Sequence, residues 1–282
     1  MMRNPFLRTL VATALLIGVF AACSKRVLVN GTDSNTVQMP ERLKKAIASS
    51  DETKRSSLEV LLKDGDPNVR ILAAENLGTI ASESSIPALM GSIEDRDIFV
   101  RGASREALLR IGLPAVDVLL ARLAPNSIPT RSTLAPVLVE LLSRGRQQLP
   151  ISDELAAAIL AKTQFARCLG TLCVRRVAFP TYPALARHAG ITGKVWLEFS
   201  VESGTATEIV ADGHPYLSAP ATEALKQWIF EDSSEKPRRY NLTVEFELIG
   251  TTEDPGDTAV DFILPNYIRT AARGSAFNAA QR

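Results

Sequence analysis

The sequence predicts an α-helical solenoid followed by a small α+β domain with the order helix, strand, strand, helix, strand. Three observations lead there. Matched residues recur every 31 positions in the first half, apolar and polar residues alternate strictly in two segments of the second half, and an apolar stripe at helical spacing lies between those segments. The 282 residues suffice for two small domains, and 46% apolar against 22% charged residues is a balance that can bury a core. A formal charge of +1 gives no electrostatic reason for nucleic acid as a partner. Two histidines and three cysteines are too few for a zinc site of ordinary spacing, so neither metal nor other cofactor is expected.

The chain divides into six stretches: a signal peptide at 1–22, a flexible tether at 23–39, helical repeats at 40–145, a connector at 146–177, the α+β domain at 178–250 and a tail at 251–282. Arg3 and Arg8 precede the apolar run Leu10 to Ala22, which is of signal-peptide length and short for a membrane span. Phe20-Ala21-Ala22-Cys23 resembles the lipobox of bacterial lipoproteins, with Phe20 where that family more often has leucine. The resemblance implies lipidation of Cys23 and a membrane anchor; the competing reading is an ordinary secretory signal, or a short anchor, with an incidental cysteine. Removal of Arg3 and Arg8 takes the charge to 30 − 31 = −1. Ser24, in place of aspartate, resembles the sorting pattern of the outer membrane, which favours that membrane over the inner one from within the periplasm. The tether, with Gly31-Thr32-Asp33-Ser34-Asn35, buries little.

The repeat is carried by Asp64/Asp95, Asp66/Asp97, Val69-Arg70/Val100-Arg101, Leu77/Leu108, Ile80/Ile111 and Leu58/Leu89/Leu120. Each unit sets an acidic turn before a helix (Val69 to Ile80, then Val100 to Ile111) and adds a second helix (Ile86 to Ile93, then Ala115 to Leu123). Asp66 and Asp97 suit N-caps, because a short side-chain oxygen accepts free N–H groups of the first turn. The pattern D-x-D-x-x-VR…AA…L resembles HEAT repeats over about Glu41 to Leu142. That implies a scaffold without chemistry, in which Arg70 and Arg101 brace the preceding turn.

The connector contains a helical run from Asp153 to Ala166, then Cys168 and Cys173, which either form a small disulfide loop in an oxidising compartment or stay as two buried thiols. In the second half, Ile191, Gly193, Val195, Leu197, Phe199 and Val201 fall on one face of a strand, with Thr192, Lys194, Trp196, Glu198, Ser200 and Glu202 on the other. Ser203-Gly204 turns the chain into a return strand, Thr205 to Ala211. A helix from about Tyr216 to Phe230 follows, striped by Leu217, Ala221, Ala224, Leu225 and Trp228. A closing strand alternates Tyr240, Leu242, Val244, Phe246 and Leu248 with Asn241, Thr243, Glu245 and Glu247. The two halves then read as independently folding units joined between about Ser143 and Val177. In the tail only Asp261 to Ile268 suggests a short element, and the end is expected to be mobile.

Pro180-x-Tyr182-Pro183-x-x-Ala186, Gly190-Ile191-x-Gly193-x-Val195, Ser203-Gly204, the helix running to Trp228-x-Phe230 and the closing strand resemble the C-terminal domain of TonB over about Phe179 to Leu248. Tyr182-Pro183 would start a helix, and Gly190 and Gly193 would stop it and allow close packing. The resemblance implies binding of an extended segment, from an outer-membrane receptor or another envelope protein, beside the last strand. The partner strand is then Arg239, Tyr240, Asn241, Leu242, Thr243, Val244, Glu245 and Phe246, continuing to Leu248. Lys236, Arg238 and Arg239 lead in, either attracting an acidic partner or protecting the edge from aggregation. A true transducer enters the inner membrane by an N-terminal helix and crosses the periplasm on a Pro-rich rod; a lipoprotein signal and repeats stand there instead. Protein binding is thus the first reading and energy transduction for transport across the outer membrane the alternative. Neither His188 nor His214 has a nucleophile or carboxylate motif beside it, so no catalytic residue is assigned.

Overall fold

The computed structural model describes residues 39–123, 134–143, 151–234, 238–252 and 258–275. Cys23 and Lys236, singled out above, lie outside them. Pro40–Arg282 forms one compact unit.

The repeat half is built from α1 (Glu41–Ile47), α2 (Asp51–Leu61), α3 (Pro67–Ile80), α4 (Ile86–Ser92), α5 (Ile98–Ile111), α6 (Leu113–Arg122) and α7 (Ala135–Ser143). Asp66 caps α3 by accepting from the Asn68 N–H at 2.9 Å, and Asp97 caps α5 by accepting from Phe99 N–H at 2.8 Å. One turn earlier, Asp64 and Asp95 accept from the N–H groups of Asp66 and Asp97, so each acidic turn is closed by its own side chains. Helices α3 and α5 then meet closely at Gly78. A Cβ there would stand 2.8 Å from Ala107 Cα, so glycine is what permits the approach.

Helix α8 (Asp153–Arg167) leads into β1 (Cys168–Leu169) and β2 (Leu172–Arg176). Cys168 and Cys173 are register partners across that hairpin and are joined by a disulfide, Sγ–Sγ 2.02 Å. Next come α9 (Ala184–His188), β3 (Gly193–Glu202), β4 (Thr205–Asp212), α10 (Pro215–Lys226), β5 (Ile229–Asp232), β6 (Tyr240–Thr252), β7 (Thr258–Ile263) and β8 (Tyr267–Ser275). Two sheets result, β1-β2-β5 and β4-β3-β6-β8-β7. Every neighbouring pair is antiparallel except β6 and β8, which run parallel.

Several expectations are corrected. The helix expected to reach Phe230 ends at Lys226; Ile229–Asp232 pairs instead with β2, an element the connector concealed. Alternation along β3 breaks at Ser200, which is buried and hydrogen-bonds Glu208, because β4 carries a bulge with Glu208 at φ 48°. Gly190 does stop α9 at φ 66°, but Gly193 faces open space, so its role is its φ of 144° and not close packing. The tail is ordered over Thr258–Ile263 and Tyr267–Ser275.

The halves also share a core. Val139 of α7 joins Leu172, Val174, Val195, Leu197, Phe199, Trp228, Phe230, Val244 and Phe246 in one buried cluster, and Ser143 Oγ accepts the Val177 N–H at 2.9 Å. A second cluster joins Ile71, Ile98, Phe99 and Val100 of the repeats to Ala259 and Ala271 of the tail. Both clusters thus draw residues from each half.

Candidate partner-binding surface

Strand β6 is the element on which a partner site was expected. Its inward residues Leu242, Val244 and Phe246 are buried against Val195, Leu197 and Phe199 of β3, its antiparallel neighbour. Tyr182 backs the same core: its hydroxyl donates to the Ile191 carbonyl at 2.7 Å, and its ring meets Phe246 edge-on with centroids 5.3 Å apart. Burial pushes the Tyr182 pKa up to about 12. Trp228 anchors the other end, its indole N–H donating to the Ala178 carbonyl at 2.8 Å.

The other side of β6 is where structure and sequence part. Arg239 to Leu248 was expected as an unpaired edge. Instead, β8 lies along it in parallel, with Thr243 opposite Tyr267, Glu245 opposite Arg269 and Glu247 opposite Ala271. The ladder opens where the Thr243 N–H donates to the Asn266 carbonyl at 2.9 Å. Among the described residues of β6, Tyr240, Asn241 and Leu242 at its start and Ile249 and Gly250 at a register shift have no β8 partner. The physical reason is that the tail supplies its own strand and satisfies the free N–H and C=O groups from within the chain.

Side chains seal the ladder on the outer face. The Tyr267 hydroxyl donates to Glu245 at 2.6 Å, Lys194 stands 3.6 Å from the same carboxylate, and Arg269 pairs with Glu247, Nε donating at 3.0 Å. Burial first, then the hydrogen bond to Glu245, raises the Tyr267 pKa well above the ordinary phenol value. Arg239 does not point along a free edge: it donates to the Glu208 carbonyl at 2.9 Å and lies 3.5 Å from Glu198. Tyr240 donates to Asp232 at 2.7 Å. Trp196 and Ile263 remain exposed in one cross-strand row with Thr243 and Tyr267.

The repeat arginines do brace their turns, Arg70 to the Asp64 carbonyl at 2.8 Å and Arg101 to the Asp95 carbonyl at 2.7 Å. Arg70 also forms a bidentate pair with Asp95 of the next unit, 2.8 and 2.9 Å. Arg101 makes its corresponding pair with Asp261 on β7. Sequence reasoning offered Asp261 to Ile268 as a short element but gave no role to Asp261, Tyr267 or Arg269. The signal available was a run of Val260, Phe262 and Leu264, a Pro265-Asn266 turn and Tyr267-Ile268, which reads as strand–turn–strand. His214 caps α10 by accepting from Tyr216 N–H at 3.3 Å, and His188 ends α9.

Among the described residues no group of three His, Cys, Asp or Glu side chains is placed to hold a metal ion, and no helix is long and apolar enough to cross a membrane.

Residues 56–144 match the HEAT-repeat family and residues 178–248 match the Gram-negative bacterial TonB protein C-terminal family. Both are families of protein-interaction modules. No curated protein matches the chain. Among solved structures, the crystal structure of an engineered protein from the Northeast Structural Genomics Consortium matches at 20% identity, over 44% of this chain and 68% of that one, with a TM-score of 0.25.

Proposed function

We propose that this chain is a cell-envelope lipoprotein, anchored in a membrane through Cys23, that binds an extended segment of an outer-membrane receptor or other envelope protein. The TonB-type domain pairs with that segment by strand addition along Arg239 to Phe246, and the HEAT-type repeats serve as scaffold. Periplasmic exposure, with the outer membrane as the favoured anchor, follows from the leader and the Cys23-Ser24 pair.

The observation that supports this reading best is the parallel pairing of β6 with β8. It means that the outer side of β6 presents its N–H and C=O groups in a geometry that accepts an extended strand. Backbone hydrogen bonds supply most of such an affinity, so outward side chains such as Asn241 and Thr243 tune it rather than create it. The test is a cysteine scan at Asn241, Thr243 and Glu245 with crosslinking in the periplasm. Adducts with an envelope protein whose register advances along β6 are expected. Adducts confined to the repeat half, with none on β6, overturn the reading.

A further inference from the structure

We propose that the β7–β8 hairpin is a resident strand occupying the partner slot on β6, and that helix α5 of the repeats is the latch that keeps it there. This rests on strand addition at β6 as the mode of binding, and adds what fills the slot, what releases it and what kind of segment replaces it.

The hairpin is held from two sides. Toward the sheet, Phe262, Leu264, Ile268 and Ala272 join the domain core. Toward the repeats, Ala259 and Ala271 pack on Ile71, Ile98, Phe99 and Val100. Ala259 sits so near α5 that a Cβ added at Gly102 would lie 3.4 Å from its methyl group. Arg105 of α5 donates to the Val260 carbonyl at 2.6 Å, and its guanidinium stands 5.7 Å from the Phe262 ring. From β8, the Arg273 guanidinium lies 4.3 Å over the Phe99 ring.

The key contact is Arg101 with Asp261. In the preceding unit the equivalent arginine, Arg70, bonds the acid of the next unit, Asp95. One period beyond Asp95 the sequence has Asn126, which offers no carboxylate. Arg101 takes Asp261 instead, so the bond that ties one repeat to the next is redirected to the hairpin. The pair is also less buried than its counterpart, with side chains 19% and 27% exposed against 5% and 14%. A contact of this kind can be exchanged at modest cost, which suits a latch.

The resident strand is also a template for its replacement. Ile268, Thr270 and Ala272 are buried, so the partner segment must carry branched or small apolar residues at alternate positions. The positions between them face Glu245 and Glu247, now met by the Tyr267 hydroxyl and Arg269. The segment that fits therefore runs parallel to β6, with hydroxyl or cationic donors at the two outward positions held by Tyr267 and Arg269 and a small residue at the third, where Ala271 lies against the repeats.

The test uses the full chain, as wild type, Arg101→Ala, Asp261→Asn and Gly102→Val, with a labelled synthetic peptide of the sequence Tyr267 to Gly274 as probe. Amide exchange is followed in β8 and in β3. Release of the latch should raise β8 exchange about tenfold with β3 unchanged, and the variants should bind the peptide while wild type does not. If β8 and β3 exchange together in every variant and no peptide binds, the hairpin is a permanent strand and the latch is overturned. Peptide binding by the variants without any envelope adduct on β6 leaves the latch standing and removes strand addition as the function. Envelope adducts on β6 of wild type with β8 fully protected do the reverse.

Discussion

Arg70 and Arg101 occupy the same place in two successive repeats, follow the same valine and brace the same acidic turn, yet their second bonds go to different kinds of partner. Arg70 stays within the solenoid, pairing with Asp95, while Arg101 leaves it for a strand 160 residues further on. The difference teaches that the series of inter-repeat ion pairs is redirected where its register partner, one period beyond Asp95, is Asn126. An unsatisfied guanidinium at that point is free to recruit another element, and here it recruits the tail that completes the sheet. The two halves are joined through the bond that elsewhere joins repeats.

The largest expected effect comes from cutting the molecule at its sequence-legible boundaries. A fragment of residues 175–250 lacks Leu172 and Val174 of β2 and Phe262 and Ile268 of the hairpin, all buried in the domain core. Each is worth roughly 1.5–3 kcal/mol of burial, and their sum rivals the whole stability of an ordinary small domain, about 5–15 kcal/mol. This fragment is expected to show no cooperative thermal transition by circular dichroism, whereas 168–275 should recover one. Equal, cooperative melting of both would mean that the tail is dispensable and that the halves are as separate as the sequence suggested.

The second effect is the contrast between the arginines themselves. Arg70 is 4% exposed and Asp95 half-buried, so Arg70→Ala leaves that carboxylate with only the Asp97 N–H and should cost about 3 kcal/mol in chemical denaturation. Arg101→Ala removes a wetter pair and should cost about 1 kcal/mol globally, with most of its effect confined to the hairpin. Equal losses at the two positions would show that the redirected bond is as integral as the repeat bond.

How far these features could be read in advance follows from where water lies. The solenoid was legible because its period repeats side chains as well as hydrophobicity, and Asp66 and Asp97 announce helix starts by chemistry alone. Strands β3 and β6 were legible because one face is buried and the other wet, which writes a period of two into the sequence. Strands β2, β5 and β8 lack that contrast. β8 alternates only over Tyr267 to Thr270; beyond that it is enclosed on both faces, with Ala272 toward the domain core and Ala271 toward the repeats, so its period of two is too short to mark a full strand. The residues of the expected site were thus found correctly as a strand, while its neighbour was not foreseen. Register partners 24 residues apart, such as Thr243 and Tyr267, leave no local trace.

The smallest effect lies in pH, where the β6–β8 ladder has its own alkaline limb. Asp64 is held below the ordinary carboxylate range chiefly by the Arg42 hydrogen bonds; for Asp95 burial pushes upward but the Arg70 hydrogen bonds prevail, so it too lies low. A depressed carboxylate stabilises fully above its unfolded pKa, near 4, and the contribution is lost as pH falls through the folded value. Tyr267 behaves in the opposite sense. Its folded pKa is raised by burial and by Glu245, so its contribution is complete below the unfolded value of about 10 and is lost as pH rises toward the folded one. The repeats should therefore weaken at the acid end, together with the contacts of Asp232 on β5, whose carboxylate is also held low, and the β6–β8 ladder at the alkaline end. Tyr182 is raised as well, to about 12, so the wild-type alkaline limb contains both phenols. Tyr267→Phe isolates the strand contribution: between pH 9 and 11 its melting temperature should fall less steeply than that of wild type, while the two acid limbs superimpose (pH values chosen to bracket the ordinary phenol value of about 10). Parallel alkaline limbs would mean that the Tyr267–Glu245 bond does not hold β8 on β6, and would move the weight of that pairing onto the backbone ladder and the contacts with α5.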